Sequence, residues 1–180
     1  DLGEYPPLFP ALVGAWWHVF GGLPGATPVR GVCLAGLLLA AWATGRLAGE
    51  AHGAGGWRAD DAPRPGEAAE LLAFGLTLCL PLANGLTRHF MPEGLLVGAV
   101  ATSVWLAWRA GDRPGPWTAL ALGVALGLGL LVKQTFLLVA IVPVAVAAAR
   151  AGRWLALSAV AAAVVAGPWY LRHMAEQLAY

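Results

Sequence analysis

An all-α bundle of membrane helices is the fold class this sequence predicts, and three observations carry the prediction. The chain is 59% hydrophobic and 12% charged, whereas soluble domains carry about 25% charged residues. Its mean hydropathy is +0.68. Its charges cluster between apolar runs that approach or exceed the ~20 residues needed to cross a bilayer. About six transmembrane helices plus one short interfacial helix are expected, in a single domain over residues 1–180.

The elements follow in order. Leu8 to Gly22 is apolar but would extend only about 20 Å as a helix, short of the ~30 Å hydrocarbon core. Its Trp16-Trp17-His18 centre suits the headgroup level, so an interfacial helix is expected within an external loop over 1–28. Glycines and prolines from Gly21 to Pro28 then form a turn. Six spans are expected over 29–171: Val29 to Leu47, Ala68 to Leu86, Gly94 to Trp108, two within Trp117 to Ala149, and Leu155 to Tyr170. The long stretch would make one helix of about 50 Å. Breaking it at Lys133-Gln134-Thr135 gives two antiparallel spans and moves the cation to an interface, which avoids a large burial penalty. Cys33 and Cys79 lie inside apolar runs and read as small hydrophobes.

Alternating spans put Arg46, Arg58, Arg64, Arg109, Arg113, Arg150 and Arg153 on one side, and Arg30, Arg88, Lys133 and Arg172 on the other. Basic residues favour the cytoplasmic side, so the first group is expected there, on loops read as ordinary solvated connectors. Asp1, Glu4, Tyr5, Arg88, His89, Glu93, Lys133, Gln134, Trp169 and Tyr170 then share the extracytoplasmic side. All but one of the eleven basic residues are Arg, a composition suggestive of a GC-rich bacterial gene and hence of an inner (plasma) membrane.

Several of these residues could carry chemistry. Arg88 with Glu93 reads either as a pair capping two span ends or as a phosphate-binding guanidinium beside an acid that orients a hydroxyl. The helix dipole favours Glu93 where it stands, after Pro92. Lys133 either snorkels from its turn or supplies positive charge to a phosphate leaving group. Pro6-Pro7 either fixes an extended backbone that holds Glu4 and Tyr5 or simply starts the helix. No second His stands at a ligand spacing from His89, and His18 and His173 are equally isolated. No metal, no cofactor and no nucleic-acid partner is expected.

Four segments carry a family resemblance. Tyr5-Pro6-Pro7-Leu8-Phe9-Pro10, with its short helix and a loop ending in Val29-Arg30, resembles the first external loop of bacterial GT-C glycosyltransferases of the protein O-mannosyltransferase and aminoarabinose transferase group. Leu86-Thr87-Arg88-His89-Phe90-Met91-Pro92-Glu93 resembles that group's Ser-Arg…Asp/Glu segment, with Glu93 where Asp is common. Gly127-Leu128-Gly129-Leu130-Leu131-Val132-Lys133-Gln134 is similar to its Gly-Leu-x-x-Leu-Thr-Lys segment, with Val132 replacing Thr. Gly167-Pro168-Trp169-Tyr170 resembles the Leu-Pro-Trp-Tyr end of a later helix.

The resemblance implies an inverting transferase that moves a sugar from a polyprenyl-phosphate donor to a lipid, glycan or protein acceptor at the extracytoplasmic face. Membrane lipid surrounds it. An acid would deprotonate or orient the acceptor hydroxyl, and Arg88 and Lys133 would stabilise the departing phosphate. The candidate acids are Asp1, Glu4 and Glu93; Tyr5, Arg88, His89, Lys133, Gln134 and Tyr170 are the candidate substrate-binding residues. The family is longer, so the chain is expected to be an internal piece, with a first membrane helix and the principal catalytic acid upstream of Asp1. The competing functional readings are a transporter or flippase of lipid-linked glycans and a non-catalytic membrane scaffold. Transporters tend to place charges at the bilayer midplane, whereas here they map to span ends.

Overall fold

The computed structural model describes residues 6–20, 27–54, 65–79 and 92–177. All regular structure among them is helical: α1 Leu8–Val19, α2 Thr27–Ala54, α3 Pro65–Cys79, α4 Glu93–Asp112, α5 Pro116–Val132, α6 Phe136–Ala148 and α7 Trp154–Gln177. Within α2, α4 and α7, the stretches Thr27–His52, Glu93–Asp112 and Trp154–His173 are each long and apolar enough to cross a membrane. Helices α5 and α6 are apolar but shorter, at 17 and 13 residues.

Pro7 sits in the α region (φ −76°, ψ −14°), and its carbonyl accepts the Ala11 N–H at 3.0 Å. Pro7 itself is thus already in the helical conformation, as a helix start requires. The α1 helix ends at Val19, shorter than expected, and Trp16 lies over Gly31 of α2. The α2 helix continues seven residues past Leu47. Glu50, expected in a loop, is helical and ion-paired.

The order of contacts along each pair of helices fixes their directions. Gly36 of α2 meets Gly94 and Gly98 of α4, and Trp42 meets Trp105. Both indices rise together, so α2 and α4 run the same way. Gly45 meets Glu70 and Phe74, while Gly49 meets Gly66, so α3 returns between them in sequence. Gly123 lies against Ser158 and Ala161, and Gly127 against Ala162 and Val165. Helices α5 and α7 are thus parallel too.

The expected break after Val132 is present. Lys133 is extended (φ −160°, ψ 137°), the Phe136 N–H bonds to the Lys133 carbonyl at 3.0 Å, and the Phe136 ring returns onto Gly129. Phe136, Ala140, Val144 and Ala148 of α6 then pack with Ala107 and Ala110 of α4 and Leu122 of α5 to form the core. The tight turn into α7 uses Gly152 at φ 58°, a conformation glycine adopts without steric penalty. Among the described helices, α2 to α7 alternate in direction along the chain. Cys33 is buried, Cys79 is exposed, and neither forms a disulfide.

Small residues let these backbones approach. A methyl on Gly36 would lie 2.5 Å from the Gly94 carbonyl oxygen, which fixes α2 and α4 in direct backbone contact. Such contacts are the usual adhesive between helices in lipid, where apolar burial alone gives no preference for a protein neighbour. Ser158, 3% exposed, adds a polar tie by donating to the Ala119 carbonyl across the α5–α7 interface at 2.9 Å.

Candidate active site

Glu93 opens α4 and Lys133 closes α5, so antiparallel packing brings them to the same end of the bundle. Lys133 Nζ donates to Glu93 Oε1 at 2.6 Å. The side chains are only 23% (Glu93) and 29% (Lys133) exposed, so the pair is sheltered without being sealed. Glu93 Oε2 is buried and has no hydrogen-bond partner among the described residues. One carboxylate oxygen thus holds the ammonium, and the other is left as an unpaired acceptor on the buried side of the pair. The N-terminal position on α4 favours its negative charge.

Gln134 is exposed on the turn that carries Lys133. Tyr170 arrives from α7, and its hydroxyl donates to the Leu130 carbonyl at 3.1 Å. Leu130 lies in the last turn of α5, where carbonyls lack partners within the helix. Tyr170 therefore satisfies such a group and ties α7 to the turn beside Lys133. Trp169 packs edge-on against Tyr170, centroids 4.8 Å apart, and stacks on His173 at 4.6 Å and 22°. His173 Nδ1 donates to the Trp169 carbonyl at 2.8 Å.

Of the residues expected at the site from sequence, Glu93, Lys133, Gln134 and Tyr170 lie at this one end. Asp1, Glu4, Tyr5, Arg88 and His89 lie outside the described residues. The expected pairing of Glu93 was with Arg88; among the described residues its partner is Lys133, forty residues away. The sequence placed both on one side but gave no signal for direct contact between them.

The opposite end holds a network that sequence reasoning missed. Arg46 Nη1 lies 3.4 Å from both carboxylate oxygens of Glu70. Glu50 Oε1 receives Arg46 at 3.7 Å, Arg109 at 3.7 Å and the Trp105 indole N–H at 3.3 Å. The Arg109 guanidinium also sits 5.3 Å over the Trp105 ring, and Trp42 meets that ring edge-on at 4.8 Å. Arg46 and Arg109 were expected on solvated connectors; they instead bind α2, α3 and α4 together. Their neighbours at four-residue spacing, Glu50 after Arg46 and Arg109 after Trp105, were the available signal.

Comparison with known proteins gives one family. Neither the curated proteins nor the solved structures match this chain. The family profile described as dolichyl-phosphate-mannose-protein mannosyltransferase matches residues 64–170. That stretch contains Glu93, Lys133, Gln134 and Tyr170, and the three later segments on which the resemblance rests. With more than half of its length matched, and with an all-helical fold that brings Glu93, Lys133, Gln134 and Tyr170 to one end, the chain belongs to the dolichyl-phosphate-mannose-protein mannosyltransferase family of GT-C membrane glycosyltransferases.

Proposed function

We propose that this chain forms part of an inverting glycosyltransferase site that takes its sugar from a polyprenyl-phosphate donor at the extracytoplasmic membrane face. The observation that carries the reading is the Lys133–Glu93 pair, in which one carboxylate oxygen is engaged and the other, buried, is free of partners among the described residues. A lipid-linked phosphosugar keeps its chain in the bilayer and its phosphate at the boundary. Lys133 stands on a turn at a bundle end, and Arg88 is one of the cations assigned to the same side by sequence.

In this reading Lys133 and Arg88 neutralise the phosphate as the bond from the anomeric carbon to phosphate oxygen breaks and that oxygen keeps the electron pair. Glu93 holds Lys133 through Oε1 and offers Oε2 to the acceptor hydroxyl. The acceptor oxygen attacks from the opposite face, which inverts the anomeric centre, and its proton passes to an ionised carboxylate acting as general base. Asp1, Glu4 and Glu93 are the candidate carboxylates for that role, with Tyr5, His89 and Gln134 as contacts to donor or acceptor. Tyr170 braces the turn that carries Lys133. Six spans and an interfacial α1 complete the proposed membrane arrangement, in a bacterial inner membrane.

The test uses the full-length protein in proteoliposomes and measures mannose transfer from polyprenyl-phosphate mannose. Lys133→Ala and Arg88→Ala should each lower the rate about a hundredfold, the scale of losing one preorganised electrostatic contact. Undiminished transfer in both variants would overturn the reading.

A further inference from the structure

We propose that His173 is a donor-positioning residue whose Nε2 accepts a hydrogen bond from a hydroxyl of the transferred sugar; this rests on the function proposed above.

Four observations support it. First, a backbone carbonyl can only accept, so the contact from His173 Nδ1 to the Trp169 carbonyl at 2.8 Å places a hydrogen on Nδ1. In the neutral ring, Nε2 then carries the lone pair and acts as an acceptor. Among the described residues, Nε2 has no hydrogen-bond partner. Second, the ring is held in place: it stacks on Trp169, which packs on Tyr170, whose hydroxyl is anchored on Leu130 beside the Lys133 turn. A chain of fixed contacts thus links His173 to the cation.

Third, α7 runs parallel to α5, so from Tyr170 to His173 it advances about 4.5 Å further toward the Lys133 end of the bundle. A donor whose phosphate is at Lys133 would place its sugar beyond that level, away from the lipid chain. His173 occupies that outer level. Fourth, Trp169 and His173 are half-buried and combine apolar ring surface with polar edge atoms and no fixed cation, a chemistry suited to a sugar ring and not to a second phosphate. His173 lies three residues beyond the stretch matched by the family profile, so nothing in that match assigns it a role.

The experiment compares binding of polyprenyl-phosphate mannose and of bare polyprenyl phosphate to the full-length protein in nanodiscs. His173→Gln puts an amide oxygen near the place of Nε2, while His173→Asn puts its amide near the place of Nδ1. Loss of a single hydrogen bond predicts that His173→Asn and His173→Ala weaken binding of the mannosyl lipid roughly tenfold. Both should leave the bare lipid unchanged, and His173→Gln should retain most of the affinity. Rescue by Asn and not by Gln would show that the ring only braces Trp169, and would overturn the proposal. Equal loss for both lipids, or no loss in any variant, would also overturn it. A wild-type protein that binds neither lipid would instead refute the underlying function, which separates the two failures.

Discussion

Lys133 and Glu93 stand forty residues apart in sequence and 2.6 Å apart in space, joined because α4 starts where α5 ends. A charge-assisted contact of this length, on partly sheltered side chains, ties the two helix ends together as well as arranging chemistry.

Removing one member should therefore affect stability separately from catalysis. Lys133→Met leaves the Glu93 carboxylate without its partner and should destabilise the protein by about 2 kcal/mol. The double variant Lys133→Met, Glu93→Gln should recover much of that loss while remaining inactive. Thermal unfolding in detergent, read beside transfer assays, measures both. Additive destabilisation would show that the two residues are not coupled in the folded protein.

At the other end, Glu50 gathers Arg46, Arg109 and Trp105 on one oxygen. Glu50→Ala should leave Arg109 and the Trp105 indole N–H without their acceptor, with Arg46 keeping only Glu70, and should lower stability by roughly 1–3 kcal/mol. Donor affinity should be unchanged, since the network lies at the opposite end of the bundle. A large loss of donor affinity with normal thermal stability would contradict this.

Backbone contact between α2 and α4 predicts a sharp size limit. A side chain at Gly98 would press into the Gly36 carbonyl, so Gly98→Val should severely reduce folded protein. Gly167→Ala, with open space around the added methyl, serves as the matched control and should be tolerated. Monodisperse yield on size-exclusion chromatography reports the difference.

Membrane sidedness can be read with single cysteines in a background lacking Cys33 and Cys79. Gln134→Cys should react with an impermeant maleimide added outside intact cells, and Arg113→Cys should react only after permeabilisation. The reverse pattern would place the Lys133 end in the cytoplasm and remove the proposed access to an extracytoplasmic donor.

Much of the architecture was legible because it rests on hydropathy and length. The break at Lys133-Gln134-Thr135 could be read from the cost of burying a charge, and the turn lies there. The gathering of Glu93, Lys133, Gln134 and Tyr170 followed from alternation alone. What stayed hidden were partnerships between helices. That Glu93 meets Lys133 depends on how α4 and α5 pack, which periodicity does not encode. Glu50 was read as a loop residue because a charge after an apolar run ordinarily ends a span; Arg46, Arg109 and Trp105 compensate it, and the helix continues. His173 looked isolated because its partners are an aromatic neighbour and a backbone carbonyl, neither of which leaves a spacing signature.

The parallel pairing of α2 with α4 also constrains biosynthesis. Neighbours that run in the same direction cannot close as a hairpin while the chain leaves the translocon. Residue 33 must wait until the intervening helix has been laid down and residue 94 has been delivered, roughly sixty residues later. Until then Gly36 lacks the α4 backbone it packs against, so this interface forms only after α3 has joined α2 and cannot arise by local zipping.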